Sequence, residues 1–303
     1  MKARIMVIGF NGIIAVLILL SSSSFGATKC VNTGGTGGCY SSIQTAINAA
    51  ANGDTVEVWP GIYKQNVSIG KPIKLLTSGI ENTIIMPDTG NAVIFVTGSS
   101  SAKIVGFKIE SPGRNGIYCN SSVEIWIENC VIQNCTNVGI FFWAGSGTLR
   151  ANNNILYNNS FDGIYVADGT FYLYSNIFYS NHKGGFGRWY AGSNSRNEYN
   201  CFYGNNPNFR DYASAGTGDI QQDPQFVDAP NGDFHLQAGS PCVDAGRTGT
   251  SYLDCDGTRN DMGVYGGPSA YCGPGPVVTE LQLVPATVVR GETFNIQAKG
   301  ATR

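Results

Sequence analysis

Charge is scarce in this chain: Asp, Glu, Lys and Arg supply 13% of 303 residues, and there are only two histidines. With Lys2 and Arg4 set aside the balance is about −4, so no basic patch marks a nucleic-acid partner. Long helix-forming stretches are also missing, while 40 Gly, 15 Tyr and 15 Phe favour an all-β extracellular class. No two cysteines stand in a CxxC pair, which excludes a zinc ribbon or a thioredoxin-like redox motif.

What is present begins with residues 1–27. Lys2 and Arg4 precede an apolar run from Ile5 to Leu20, followed by "SSSSFGA". This pattern predicts a secretory signal cleaved near Gly26 or Ala27, and hence a secreted or cell-surface protein with no membrane span once the signal is removed. An uncleaved anchor is the alternative, because the run is nearly long enough to cross a bilayer. All nine cysteines lie beyond it. Cys30 and Cys39 flank a glycine-rich loop and form the best candidate pair, Cys242, Cys255 and Cys272 are close enough to supply another, and the odd count leaves at least one thiol unpaired.

A repeat organises the middle of the chain. A small residue opens "AVI", "GIY", "GIF", "GIY" and "GFG" at Ala92, Gly116, Gly139, Gly163 and Gly185, separations of 24, 23, 24 and 22 residues. Superposing the coils gives columns expected to face inward: Ile125, Leu149, Phe171; Ile127, Ala151, Leu173; the polar set Asn129, Asn153, Ser175; and Val131, Ile155, Ile177. Strand alternation then turns Glu124, Thr148, Thr170, with Trp126, Arg150, Tyr172 and Glu128, Asn152, Tyr174, outward. In "NNNILYNN", Asn153 is assigned to an inward amide ladder, Asn152 and Asn154 to solvent, and Asn158 and Asn159 to a turn. Short parallel strands, one coil per repeat, explain these sets together, and the fold predicted is a right-handed single-stranded parallel β-helix. "SSIQTAINAAANG" predicts a helix capped by Ser41 or Ser42, with Ile43, Ile47 and Ala50 on one face, covering the open first coil; "DTVEVW" is read as the first strand, Val56 and Val58 sharing one face.

On these residues the chain resembles the pectate-lyase-like superfamily: "SIQTAINAAANGDTVEVWPGIYKQNVSI" is similar to the opening of pectin methylesterases, and the Asn/Gly coils to that superfamily's β-helix repeats. "DPQFVDAPNGDFHLQAGSPCVDAG" with "DCDGTRNDMGVYGG" resembles the choice-of-anchor Q segment that closes many bacterial surface β-helix proteins. The expected layout is a signal (1–27), the solenoid (28–218), an irregular C-terminal cap (219–276) and a tail (277–303). The tail resembles the first two strands of an immunoglobulin-like domain; such a domain needs about 100 residues, so a truncated domain or a frayed extension is expected.

The resemblance implies three chemistries to weigh. A lyase needs a carboxylate-held calcium and a basic residue over the sugar; Asp162 and Asp168 are the candidate ligands, and His182, Lys183 and Arg188 the candidate catalytic groups on the next coil. An esterase is disfavoured: "FGRWY" carries Arg188 but lacks the family proline, and "DGIYV" stands where "DFIFG" is expected. A hydrolase is disfavoured because neither His182 nor His235 lies in a Gly-His-Gly segment. "DCDGTRND" misses EF-hand spacing and is read as an acidic turn.

Non-catalytic binding is the preferred reading. Residues Ile117, Ile140, Ile164 and Phe186 follow the repeat glycines and should point in, leaving Tyr118, Phe141 and Tyr165 outside, with Trp143 and Trp189 beside them and Trp126, Arg150 and Tyr172 on another row. Exposed aromatic rows either stack on an extracellular polysaccharide or pack beneath a covering segment.

Overall fold

The computed structural model describes residues 26–270 apart from 78, 88–91, 99–100, 121–123 and 191–194. For the backbone alone it also describes the strands Arg4–Phe10, Ile13–Leu19, Val277–Val284 and Asn295–Ala301. The last two pair antiparallel, as do Arg4–Phe10 and Ile13–Leu19, the run read as a signal.

Between them the chain winds as an all-β parallel right-handed solenoid of about seven turns with three strand faces. Face A stacks Thr28–Val31, Thr55–Val58, Lys74–Thr77, Ala102–Val105, Glu124–Glu128 and onward to Arg196–Glu198. Face B runs from Gly61–Lys64 to Cys201–Tyr203, and face C from Val67–Ile69 to Phe209–Asp211. Two long strands, Ile140–Asn152 and Asp162–Tyr174, pass from face C to face A without a break. The first strand of the solenoid is Thr28–Val31, one coil ahead of the expected "DTVEVW". The predicted helix is Ile43–Ala49; Ser42 accepts from the Thr45 amide, and Ile43, Ala46 and Ile47 are buried against the first coils.

The interior holds Ile125, Leu149 and Phe171, then Ile127, Ala151 and Leu173, as the columns predict. The polar column is displaced by one residue. Asn129, Asn153 and Ser175 have φ of 49°, 54° and 57°, a left-handed corner between faces A and B. That corner interrupts the alternation on which the assignment rested, because a residue in this region reverses the chain rather than extending it. The next residue turns inward instead: Asn154, Asn176 and Asn200 are fully buried. Each donates to the amide oxygen one coil further on, Asn154 to Asn176 at 3.0 Å and Asn176 to Asn200 at 2.9 Å, and Asp219 accepts from Asn200 at the end. Asn159, Asn181 and Asn205 repeat the device at the corner between faces B and C, at 2.9 and 2.8 Å. Asn159 is therefore a ladder residue, whereas Asn158, φ 52°, is the turn. In the preceding coil Cys130 and Cys135 take the ladder positions, their amides donating to Asn154 and Asn159; burial pushes both thiols up to about 12.

Val131, Ile155 and Ile177 also differ from expectation. They point outward from face B and are buried by the C-terminal segment, which packs Phe226, Phe234, Cys242, Met262 and Val264 onto them. This segment is irregular, as expected, but it covers a face as well as the final coil. Its polar contacts run back along the corner between faces A and B: Ser175 accepts from the Arg247 amide, Asn153 donates to Asn260 and Gly263, Asn129 to Val264 and Gly266. We call it the strap. Glu128 and Tyr174, expected in solvent, are buried, Glu128 accepting from Ser269 and Tyr174 lying 3.8 Å beneath the Arg247 guanidinium.

Cys30 and Cys39 form the expected disulfide, and Cys255 is also disulfide-bonded, its partner lying outside the described residues. Among the described residues no helix is long and apolar enough to cross a membrane.

Candidate functional site

The repeat glycines set the geometry of face C. A β-carbon at Gly116, Gly139, Gly163 or Gly185 would stand 2.7, 2.5, 2.9 or 2.8 Å from the carbonyl oxygen of the next coil, so only glycine permits this approach. Ile117, Ile140, Ile164 and Phe186 then point into the core, and the following side chains stack on the outer side of the strands, although Tyr165, expected in solvent, is buried there at 6% exposure because Arg210 lies over it. Phe95, Tyr118, Phe141 and Tyr165 form one column with centroids 5.2, 5.4 and 5.9 Å apart and interplanar angles of 5°, 4° and 17°. Near-parallel rings at almost the coil spacing show their faces to one another and only their edges to water. A sugar ring stacks on a face, so the middle of this column is no platform. At the Phe95 end a cavity of about 530 Å³ opens between Asn66, Ser68, Arg114 and Asn115.

At the other end the column is closed by charge. The Arg210 guanidinium lies 4.8 Å over Tyr165 and grips Asp162 through Nε–Oδ1 at 3.0 Å and Nη2–Oδ2 at 2.6 Å. Tyr165 donates to Asp211 at 3.1 Å. The Asp162 side chain is fully buried; burial raises its pKa and the Arg210 contact opposes that rise. Burial, then the bond to Asp211, pushes the Tyr165 hydroxyl up to about 12.

The corner from face C to face A is different. Trp143, Trp189, Tyr190 and Tyr212 are 58, 56, 61 and 62% exposed. They are spread over four coils: Trp143 is in register with Asp168 of the second coil, which adds no ring to the strip, the Trp189 amide of the third coil donates to Val166 of the second, and the Tyr212 amide of the fourth to Arg188 of the third. Two cavities flank this strip and share Arg188. One, of about 500 Å³, also meets Phe171, Ser195, Arg196, Glu198 and Tyr212; the other, of about 190 Å³, meets Asp168, Thr170 and Tyr190. The Arg188 guanidinium lies 5.1 Å over Phe171, and burial lowers its pKa. Aromatic faces beside a guanidinium, carboxylates and hydroxyls form a surface suited to sugars.

The remaining sequence candidates are dispersed. On face A Arg150 stacks between Trp126 at 5.8 Å and Tyr172 at 4.5 Å and pairs with Glu124 at 2.9 Å. His182 bonds Asn158 at 3.0 Å on the corner between faces B and C, and Lys183 lies 4.9 Å over Phe161. Strand Gly184–Arg188 separates both from Arg188, roughly 16 Å along an extended backbone, so the three basic groups do not converge. Asp162 and Asp168 do not converge either: Arg210 holds both oxygens of Asp162, and Asp168 is exposed on the far corner. A calcium ion at Asp162 would have to sit against a guanidinium, and the residues do not fit one. Among the described residues no group of three His, Cys, Asp or Glu side chains could hold a metal. In "DCDGTRND", Asp254 accepts from the Asp261 and Gly267 amides and Asp256 from Thr258, an acidic turn.

Tyr190, Tyr212 and Arg210 are additions to the sequence reading. "NFRDY" continues the repeat after "GFGRW", Phe209 pairing with Phe186 and Arg210 with Gly187, but Asn208 replaces the marker glycine and hides the match.

Comparison with known proteins agrees with this architecture. The sequence profile for the right handed beta helix region matches residues 61–222. A cell surface glycoprotein of Methanothermus fervidus is 29% identical over 208 residues, covering 65% of this chain and 33% of that protein. The human SHC SH2 domain-binding protein 1 is 33% identical over 131 residues, covering 42% and 19%. The chain thus spans a third or less of these relatives. Among solved structures, pectate lyase Pel9A aligns with a TM-score of 0.37 at 13% identity, over 79% of this chain and 97% of that one.

Proposed function

Since the chain belongs to the right-handed β-helix family, we propose that it is an exported or cell-surface solenoid that binds extracellular polysaccharide along the corner between faces C and A. The observation that carries this reading is the strip of Trp143, Trp189, Tyr190 and Tyr212, each more than half exposed, spread over four coils of which the second presents Asp168 in place of an aromatic ring. Coils about 4.8 Å apart give an extended glycan ring faces at intervals of one or two coils, and Arg188, between the two cavities, supplies donors to its oxygens. The surface setting is supported by the leader-like residues 1–27, by the choice-of-anchor Q-like residues 219–267 and by the name of the Methanothermus fervidus relative, a cell surface glycoprotein. Binding is preferred over lyase chemistry because Lys183 and Arg188 lie at opposite ends of one strand.

Affinity electrophoresis through gels containing neutral and acidic polysaccharides tests this. Retardation in at least one, weakened tenfold or more by the pair Trp143→Ala and Trp189→Ala, is expected. Equal mobility in every gel, or retardation indifferent to both substitutions, would sink the proposal. Unsaturated uronide absorbing in the ultraviolet, and lost in Lys183→Ala, would replace binding by lysis.

A further inference from the structure

Face B and the strap bring together two cysteines that the binding reading does not use. Cys201 closes the outward row Val131, Ile155, Ile177 at the last coil, and Cys242 enters the same cluster from the strap; both are fully buried. Their backbones are fixed from opposite sides. The Cys201 amide donates to Asn176, while the Cys242 amide donates to Ser240 Oγ at 3.1 Å and its carbonyl accepts from Met262 at 2.9 Å. Both are free thiols; Cys201 Sγ donates to the Gln222 carbonyl at 3.2 Å, and the neighbouring Cys242 side chain, together with burial, drives the Cys201 pKa far up. Cys119, Cys130 and Cys135 are buried without another thiol among the groups that act on them. The structure also carries disulfides at Cys30–Cys39 and at Cys255.

We propose that Cys201 and Cys242 are an oxidative modification site, closed as a disulfide that staples the strap to face B. The oxidant is a disulfide-bearing thiol compound, R–S–S–R. One cysteine loses its proton and its thiolate attacks a sulfur of R–S–S–R, expelling RS⁻; the second cysteine, likewise deprotonated, displaces RS⁻ from the mixed disulfide. The two thiol protons end on two RSH, and two electrons pass from the cysteine sulfurs to the oxidant. With the strap closed, both thiols are fully buried and out of reach of the oxidant. The exchange therefore belongs to the open strap, during folding or local detachment, and the formed bond holds the docked position. It ties Tyr157 and Tyr179 beneath Phe234 and Phe226, which meet them edge to face at 5.4 and 5.5 Å.

The test uses the full chain refolded in a mixture of reduced and oxidised glutathione, then denatured, alkylated without reduction and digested. A peptide joining Cys201 to Cys242 is expected, the wild-type chain melting roughly 6–12 °C above its dithiothreitol-treated form. Cys242→Ala, which keeps the other disulfides, is expected to show a smaller reductant-dependent shift, with Cys201 alkylated. Full alkylation of both Cys201 and Cys242 in the refolded wild-type chain would overturn the proposal, as would pairing of either one with a different cysteine.

Discussion

Asp162 and Arg210 lie two coils apart and still share two hydrogen bonds, because the coil between them presents glycine where a side chain would stand. Asp162 is in register with Gly184, and Arg210 with Gly187. A β-carbon at Gly184 would collide with Asp162 Oδ1, and one at Gly187 would meet Tyr165 and stand 3.1 Å from Asp162 Oδ1. The ion pair reaches across the gap these residues leave.

Removing one partner strands a buried charge. Arg210→Met is expected to cost about 3 kcal/mol, and adding Asp162→Asn to restore part of it. Denaturant unfolding of the single and double variants measures this; additive losses would contradict the coupling.

The amide ladders carry weight in proportion to burial. Asn176→Ala leaves the Asn154 side chain and amide without their shared acceptor and is expected to cost about 2–4 kcal/mol. Asn158→Ala, on the outer turn, should cost under about 1 kcal/mol. The order of the two melting temperatures decides it.

Gly163 tests the close approach of coils. Its β-carbon would meet the Gly185 carbonyl, Leu156 and Phe178, all at 2.9 Å. Gly163→Ala is therefore expected to destabilise by about 2–3 kcal/mol, whereas Gly257→Ala, which meets nothing within 4 Å, is set only against its positive φ and should cost about 1 kcal/mol. Comparable losses at both positions would mean that crowding is not what holds the glycine column.

Asp219 gives a pH dependence. Burial raises its pKa from 3.8 to about 6, against amide donors from Gly216, Asn200 and Asn197. A carboxyl raised on folding contributes stability that is complete below about pH 4 and is lost as the pH climbs through 6. The melting temperature of the wild type relative to Asp219→Asn should therefore rise as the pH falls from 7 to 4. A constant difference would show that the donors keep the carboxylate ionised.

The solenoid was legible because glycine recurs where coils touch and apolar residues recur where strands alternate. The amide ladder was legible as a pattern but was placed on Asn153 rather than Asn154, since a left-handed corner has no signature distinct from an ordinary asparagine in a strand. Val131, Ile155 and Ile177 look the same in sequence whether they face the core or the strap. The exposed strip was half visible: Trp143 and Trp189 stood out, whereas Tyr212 belongs to a coil whose marker glycine is Asn208. Arg210 escaped notice for the same reason.

Each ladder amide gives to the coil ahead what it receives from the coil behind, and the column ends on a carboxylate that only accepts. Any interior coil is thus interchangeable with its neighbour as far as these bonds are concerned. The molecule can lengthen or shorten by whole coils, as a chain does by links, so long as Asp219 still terminates the column and the strap grows in step. The length of the solenoid is then adjustable by copying a stretch such as residues 153–174, without redesigning either end.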